Sequence, residues 1–135
     1  MAKVLILQGI PASGKSTFAR EFLKEHPDYI RVNRDDIRRM LGDYWKPDRE
    51  TFVSSCEYAL VLDAMDYRYN IIVDDTNLNP KTISKWKATA EYRNYDIEFK
   101  RFHISLDEAL ERDKNREHPV GEEVVKRFYY KYENI

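Results

Sequence analysis

The chain has 135 residues, a length typical of one domain with a buried core of its own. Charged residues make up 35% of it but balance to a net charge of −1, and it has no run of lysine or arginine, which argues against tight, nonspecific wrapping of duplex DNA. The single cysteine excludes an internal disulfide pair, and the longest aliphatic runs are too short to cross a membrane. We therefore expect a cytoplasmic protein with no membrane segment.

The first structural unit is a strand, a glycine-containing loop and a helix. Residues 3–8 form an apolar strand, and residues 17–24 have the apolar spacing of an amphipathic helix. The loop between them reads GIPASGKST, which matches the phosphate-binding pattern GxxxxGK followed by Ser or Thr. We expect this loop to bind a nucleoside triphosphate through Gly9, Pro11, Ala12, Ser13, Gly14, Lys15, Ser16 and Thr17.

The chemistry of this loop assigns different tasks to its residues. Backbone N–H groups and the N-terminus of the following helix hold the phosphates, and glycine permits the close approach that a Cβ would obstruct. Lys15 is expected to reach between the β- and γ-phosphates, and the hydroxyl of Ser16 is expected to bind Mg²⁺. A glycine turn that carries a lysine by coincidence is the alternative, but the strand and helix on either side favour the phosphate site.

A second strand at residues 29–32 is followed by Asn33 as the N-cap of a short helix over residues 34–41. Asp35 and Arg38 are three residues apart and share one face of that helix. Beside a bound γ-phosphate, this pair offers a base for an attacking hydroxyl and a cation for a phosphate. Acids in a first helical turn also complement the helix dipole, and position alone leaves both interpretations open. Asp36 has the position of a capping acid.

The third unit begins with a long helix, for which Phe52, Cys56, Ala59, Leu60 and Ala64 predict the buried face. A strand at residues 70–75 ends in two acids within the string VDDTNLNP. The asparagine and proline that close this string predict the start of another helix, with Ile83, Trp86 and Ala90 on its inner face. The threonine and first asparagine of the string either contact a second substrate or only shape the turn.

The last unit is a strand at residues 97–104 and a helix from a Ser105 capping box to about residue 114. The segment 112–121 is rich in charge and predicts a lid over the phosphates, with Arg116 as its principal arginine and Arg112 as a second. A solvated helix end is the alternative. His118 receives no role. The aromatic residues of a terminal helix either stack on nucleic-acid bases or pack into the core.

Repeated βα units predict an α/β protein in which a parallel sheet of about four strands is covered by helices on both faces. Ligands of such sheets lie at the carboxyl ends of the strands, where the phosphate loop and both acidic segments are found. We expect residues 1–135 to be a single domain.

Three strings together resemble one family. GIPASGKST, VNRDD-I-R and VDDTNLNP, followed by an arginine-bearing lid, are similar to the kinase domain of bacteriophage T4-type polynucleotide 5′-kinases. The resemblance runs from Val4 through the lid, and NRDDxxR and DTNLNP are its specific parts. It implies a three-layer P-loop kinase fold that uses ATP or another NTP with Mg²⁺.

The resemblance also implies roles for particular residues. Asp35 matches the general base, Arg38 matches the arginine that binds the phosphate 3′ of the first nucleoside, and Arg116 matches the lid residue on the donor phosphates. Asp75 matches an acid required for activity, which we interpret as a support of the metal and acceptor site. The implied reaction transfers the γ-phosphate of ATP to the 5′-hydroxyl end of DNA or RNA, a step of nucleic-acid repair.

The family also suggests what this chain does not do. The T4-type sequence continues into a 3′-phosphatase domain with a DxDGT string, which this sequence lacks, so we expect 5′ phosphorylation without removal of 3′ phosphates. A small-molecule kinase acting on a nucleoside, sugar or antibiotic has the same loop and fold, but it leaves Arg38 unexplained. A non-catalytic nucleotide-binding module leaves both the acid and the arginine unexplained.

Overall fold

Four parallel strands form the centre of the computed structural model, which describes residues 1–133. They lie in the order β2-β3-β1-β4, and their bounds are β1 (Lys3–Gln8), β2 (Tyr29–Val32), β3 (Asn70–Asp74) and β4 (Asp96–Arg101). The helices are α1 (Lys15–Glu25), α2 (Arg34–Met40), α3 (Glu50–Asp66), α4 (Pro80–Tyr92), α5 (Leu106–Lys114) and α6 (Glu122–Tyr132), with a 3₁₀ turn at Pro47–Arg49. The expected α/β fold class is confirmed.

The central strand β1 places alternate side chains on opposite faces of the sheet. Val4 and Ile6 pack with apolar residues of α3 and α4 on one face. Leu5 and Leu7 pack with α1 on the other face. Because both faces are covered, β1 and β3 are almost continuously apolar, as buried parallel strands require. The result is the three-layer arrangement of helix, sheet and helix.

Helices α5 and α6 form a separate apolar cluster at the carboxyl ends of the central strands. Ile10, which follows β1, and Leu78, which follows β3, are both buried in this cluster. The apolar stripe of α6 faces it, with Val125 fully buried and three aromatic side chains packed around it: Phe128, Tyr129 and Tyr132. Core packing therefore explains most of the terminal aromatic residues, and it fixes α5 beside the phosphate loop.

The end of the fourth strand differs from the sequence prediction. Strand β4 ends at Arg101 and not at residue 104, because its neighbour β1 ends at Gln8, which pairs with Arg101. The N–H of Phe102 still donates to the carbonyl of Gln8 at 2.7 Å, but beyond that point β4 has no strand to pair with.

The predicted inner face of α3 is also wrong for most of its residues. The buried side chains are Val53, Glu57, Val61, Ala64 and Met65, whereas Phe52 and Leu60 are 55% and 48% exposed. Cys56 is only half-buried. Apolar residues occur on nearly every side of this helix, so their spacing does not define which side is inside. Within the described residues, no helix is long and apolar enough to cross a bilayer.

Candidate active site

The phosphate loop connects β1 to α1 and depends on two glycines. The N–H of Gly9 donates to the carbonyl of Thr76 at 3.0 Å, and a Cβ at Gly9 would lie 2.4 Å from Ser13 Oγ and 3.2 Å from Phe102 Cβ. Gly14 caps α1 with φ of 104°, a left-handed conformation that strains any other residue. The loop backbone therefore keeps its curvature only with glycine at both positions.

The ammonium group of Lys15 is buried inside this loop. Its Nζ donates hydrogen bonds to the carbonyl oxygens of Gly9 and Ile10, both at 2.9 Å, and to Ser13 Oγ at 3.2 Å. Burial lowers the pKa of Lys15 to about 8, against the opposing effect of Asp74 and Asp75 at the end of β3. A group so poorly solvated interacts strongly with any anion placed against it.

Ser16 lies exposed in the first turn of α1, immediately after Lys15. Among residues 1–133, no three His, Cys, Asp or Glu side chains are grouped so that they could hold a metal ion. Mg²⁺ in phosphoryl-transfer sites takes one or two protein ligands and completes its shell with water and substrate phosphates. An exposed serine hydroxyl beside the loop fits that donor set.

The second strand end presents Asp35 and Arg38 from helix α2. Asn33 begins this helix as predicted, because its Oδ1 accepts from the N–H of Asp36 at 2.8 Å. Arg38 Nη1 donates to Asp35 Oδ1 at 2.6 Å, and the opposite edge of the guanidinium donates to both oxygens of Glu50 at 2.9 and 2.6 Å. Burial alone would lower the pKa of Arg38, but its hydrogen bonds with the two carboxylates raise it.

Asp35 is contacted from three sides. Besides Arg38, the hydroxyl of Tyr44 donates to its Oδ1 at 2.7 Å, and Nη2 of Arg116 lies 3.5 Å from its Oδ2. Burial alone would raise the pKa of Asp35, but the Tyr44 hydrogen bond and the two guanidinium groups lower it. Burial and this same hydrogen bond raise the pKa of Tyr44 to about 12. At neutral pH the site therefore holds an aspartate anion and a neutral tyrosine.

Two aromatic residues that precede α3, Tyr44 and Trp45, contact other side chains around Asp35 and Arg38. The ring of Tyr44 stacks on His118, with 4.3 Å between centroids and an interplanar angle of 7°. Trp45 is 58% exposed, and its ring lies 5.5 Å from the guanidinium carbon of Arg38. The sequence predicts no role for His118, and Tyr44, Trp45 and the Glu50 partner of Arg38 are not among the site residues predicted from it. Tyr44 is 9 residues from Asp35 and Glu50 is 12 residues from Arg38, so only the stack of Tyr44 on His118 joins segments far apart in sequence. The adjacent aromatic pair in the loop was the one signal that the sequence offered.

The predicted lid at 112–121 consists of a helix end and a loop. Helix α5 continues to Lys114, so Arg112 projects from a helix and its Nη1 lies 3.4 Å from the carbonyl oxygen of Ala12 in the phosphate loop. Arg116 lies in the following loop, between Asp35 and Asp113. The two arginines of this segment therefore occupy different places, one beside the phosphate loop and one beside Asp35.

Asp113 holds the two ends of the loop between α5 and α6 together. This side chain is 4% exposed, and its two oxygens accept from the N–H groups of Val120 and Gly121, each at 3.0 Å. Arg116 Nη1 lies 3.7 Å from the same carboxylate. In the sequence this acid is one of a run of charged residues, but in the structure it is a buried acceptor for backbone N–H groups.

The polar residues that follow strand β3 make contacts that stabilise the fold. Asp75 Oδ1 accepts from the backbone N–H of Arg34 at 2.9 Å, which connects the end of β3 to the start of α2. Asn77 is 2% exposed and takes φ of 47°; its amide donates to the carbonyl of Leu7 at 2.8 Å, and its oxygen accepts from Trp86 Nε1 at 3.0 Å. Of the two roles left open for this asparagine, shaping the turn is the one that the contacts support.

A family model described as an AAA domain matches residues 4–135. The chain belongs to this family of P-loop kinase domains. The match covers the phosphate loop, both acidic segments and the lid, so the P-loop kinase class and its nucleotide substrate follow for this chain.

Three relatives give the family more detail. A protein of Autographa californica nuclear polyhedrosis virus, provisionally named a bifunctional polynucleotide kinase/RNA ligase, is 32% identical over 96% of this chain and 21% of its own length. The L-seryl-tRNA(Sec) kinase of Methanococcus maripaludis is 31% identical over 96% of this chain and 52% of its own. A chain of the Pnkp1/Rnl/Hen1 RNA repair complex is 33% identical with a TM-score of 0.82, over 96% of this chain and 43% of its own.

These relatives confirm the resemblance to polynucleotide kinases. This chain spans between about a fifth and a half of their lengths. The similarity therefore concerns a kinase domain and does not extend to the remaining parts of those proteins.

Proposed function

We propose that this domain is a polynucleotide 5′-hydroxyl kinase, which transfers the γ-phosphate of ATP to the 5′-hydroxyl end of DNA or RNA. The support lies in one arrangement: Asp35 is hydrogen-bonded to Arg38 at 2.6 Å, lies 3.5 Å from the lid residue Arg116, and shares the carboxyl end of the sheet with the phosphate loop. A base, a phosphate-binding cation and a donor site are thus adjacent.

On the donor side, the loop amides and Lys15 hold the triphosphate. Lys15 exchanges its contacts with the loop carbonyls for contacts with β- and γ-phosphate oxygens, which bear more negative charge than carbonyls. Ser16 would hold Mg²⁺, which when bound would neutralise charge on the donor phosphates. Arg112 lies against the loop at Ala12 and adds a second cation there.

On the acceptor side, Asp35 orients the attacking hydroxyl and accepts its proton. The hydroxyl of Tyr44 already donates to Asp35 in the way an acceptor hydroxyl would, so the acceptor replaces it. Arg38 binds the phosphate 3′ of the first nucleoside through the edge that now holds Glu50, because a guanidinium edge pairs with carboxylate and phosphate in the same bidentate geometry.

The lid completes the site during transfer. Arg116 moves from Asp35 to the transferring phosphoryl group, where it offsets the charge that develops on the equatorial oxygens. Since phosphoryl transfer needs little covalent help from the protein, positioning and charge supply most of the rate. A phosphate beside the attacking hydroxyl is the feature that Arg38 selects.

The test is transfer of labelled γ-phosphate from ATP with Mg²⁺ to matched acceptors: a 5′-hydroxyl oligonucleotide, a nucleoside 3′-monophosphate and the plain nucleoside. We expect label on the first two and not on the third. Asp35→Ala is expected to abolish transfer while ATP still binds. Label on the plain nucleoside alone, or on none of the three while ATP binds, would refute the proposal and favour a small-molecule kinase.

A further inference from the structure

A glutamate with no assigned task lies in the core beneath the acceptor site. Glu57 projects from the buried face of α3, is 4% exposed, and contacts Asp75 after β3. Glu57 Oε2 and Asp75 Oδ2 are both buried, and neither has another hydrogen-bond partner among residues 1–133. Two carboxyl groups in contact thus each have a buried oxygen with no donor.

A single proton resolves this arrangement. Two carboxylates in contact inside a protein do not both ionise, and one proton between them forms a hydrogen bond that satisfies both orphaned oxygens. The position of the cation decides which residue keeps the charge. Asp75 Oδ1 accepts from the Arg34 N–H at 2.9 Å and lies 3.6 Å from Arg34 Nε, whereas Glu57 Oε1 is 4.0 Å from that Nε. The anion belongs on Asp75, which leaves Glu57 as the donor.

We propose that Glu57 is a positioning residue of the acceptor site: as a neutral carboxylic acid it donates a hydrogen bond to Asp75 and thereby fixes the start of helix α2. Asp75 in turn accepts from the first N–H of that helix, which carries Asp35 and Arg38. Burial and the contact with Asp75 raise the pKa of Glu57 well above its usual range, in agreement with a neutral acid at physiological pH.

This chain of contacts predicts an effect confined to one substrate. It runs from α3 through the end of β3 to α2, while the Lys15 ammonium is held by loop atoms: Gly9 O, Ile10 O and Ser13 Oγ. Loss of the Glu57 hydrogen bond therefore loosens the acceptor groups and leaves ATP binding intact. The kinetic form of this inference rests on the proposed function.

Two substitutions separate hydrogen bonding from packing. Glu57→Gln keeps a donor of the same shape, and Glu57→Met keeps the length without a donor. We expect kcat/KM for the 5′-hydroxyl oligonucleotide to stay within about threefold of wild type in Glu57→Gln and to fall about tenfold or more in Glu57→Met. The Kd for ATP is expected to stay within about twofold in both. Asp63→Ala, an exposed acid on the same helix, is the matched control.

Equal losses in the glutamine and methionine variants would overturn the proposal, because they would mean that Glu57 acts as an anion. So would a parallel loss of ATP affinity, which a general folding defect produces. Infrared spectroscopy gives a readout that does not depend on catalysis. At neutral pH the wild type should show the carbonyl band of a buried, protonated carboxylic acid, and Glu57→Gln should lack it.

The two proposals fail differently. If wild type phosphorylates none of the acceptors, the proposed function fails, while the infrared band still tests the protonation of Glu57. If wild type phosphorylates the oligonucleotide but no carboxylic acid band is found, the Glu57 proposal fails alone.

Discussion

The buried ammonium of Lys15 makes ATP affinity depend on pH in a range where the phosphates of ATP do not titrate. Its pKa in the ligand-free protein is about 8, lowered mainly by burial, and bound phosphates favour the charged form. With this lowered pKa, the binding-competent, protonated form of the lysine is nearly complete about one pH unit below pH 8, falls to half at pH 8 and declines further above it. The affinity should therefore fall above pH 8, with a slope that approaches about tenfold per pH unit well above the pKa.

The size of the effect follows from the same pKa. Between pH 7.5 and pH 9 the dissociation constant should rise about eightfold, whereas a lysine with an ordinary pKa near 10.5 gives almost no change. Isothermal titration with a non-hydrolysable ATP analogue and Mg²⁺ at the two pH values measures this ratio. Lys15→Arg is the control, because arginine stays charged and its weaker binding should be independent of pH. An equal Kd for wild type at both values would refute a buried, weakly basic Lys15.

Three further predictions concern the lid and the acceptor side. Arg116→Ala should lower kcat by about a hundredfold or more with little change in the Kd for ATP, whereas Arg112→Ala should raise that Kd several-fold. Steady-state kinetics measures the change in kcat, and titration measures the change in Kd. The reverse pattern would mean that the two arginines have each other's role. Tyr44→Phe removes a hydrogen bond that lowers the pKa of Asp35 in the free enzyme. The fall of kcat/KM on acidification should therefore begin at a higher pH than in wild type, and coincident pH profiles of kcat/KM would contradict this. Asp113→Ala removes two hydrogen bonds to a buried carboxylate and should lower the free energy of unfolding, measured in urea, by about 3 kcal/mol. Glu111→Ala, at an exposed site of the same helix, is the control and should change that free energy little.

Much of the fold was accessible from the sequence because its signals are local. The strands β1 and β2 have the predicted bounds, and the caps at Asn33 and Ser105 accept the hydrogen bonds that their positions predict. The phosphate loop combines a short string with a strand and a helix, and each of these is visible within about ten residues. Asp35 and Arg38 were paired correctly because residues three apart on a helix share a face.

The parts that escaped prediction depend on contacts between distant segments. The end of β4 is set by the length of β1, which is about ninety residues earlier in the chain. The buried face of α3 includes Glu57, a charged residue that periodicity assigns to solvent. Its burial depends on the carboxyl group of Asp75, which follows strand β3. The stack of Tyr44 on His118 likewise joins two loops that no local pattern connects.

Asp35 and Arg38, the residues proposed to bind the acceptor, already have partners within the protein, and this bears on how the site selects its substrate. A buried charge without a partner is unfavourable, and here Asp35 is satisfied by Tyr44 while Arg38 is satisfied by Glu50. Binding is then an exchange of partners: an acceptor hydroxyl must replace the tyrosine hydroxyl, and a phosphate must replace the glutamate. A nucleotide end with a hydroxyl and an adjacent phosphate makes both exchanges, whereas a plain nucleoside makes only the first and leaves Arg38 bound to Glu50. Under the proposed function, nucleotide ends are therefore favoured over neutral metabolites through competition within the protein, without any contact to a base.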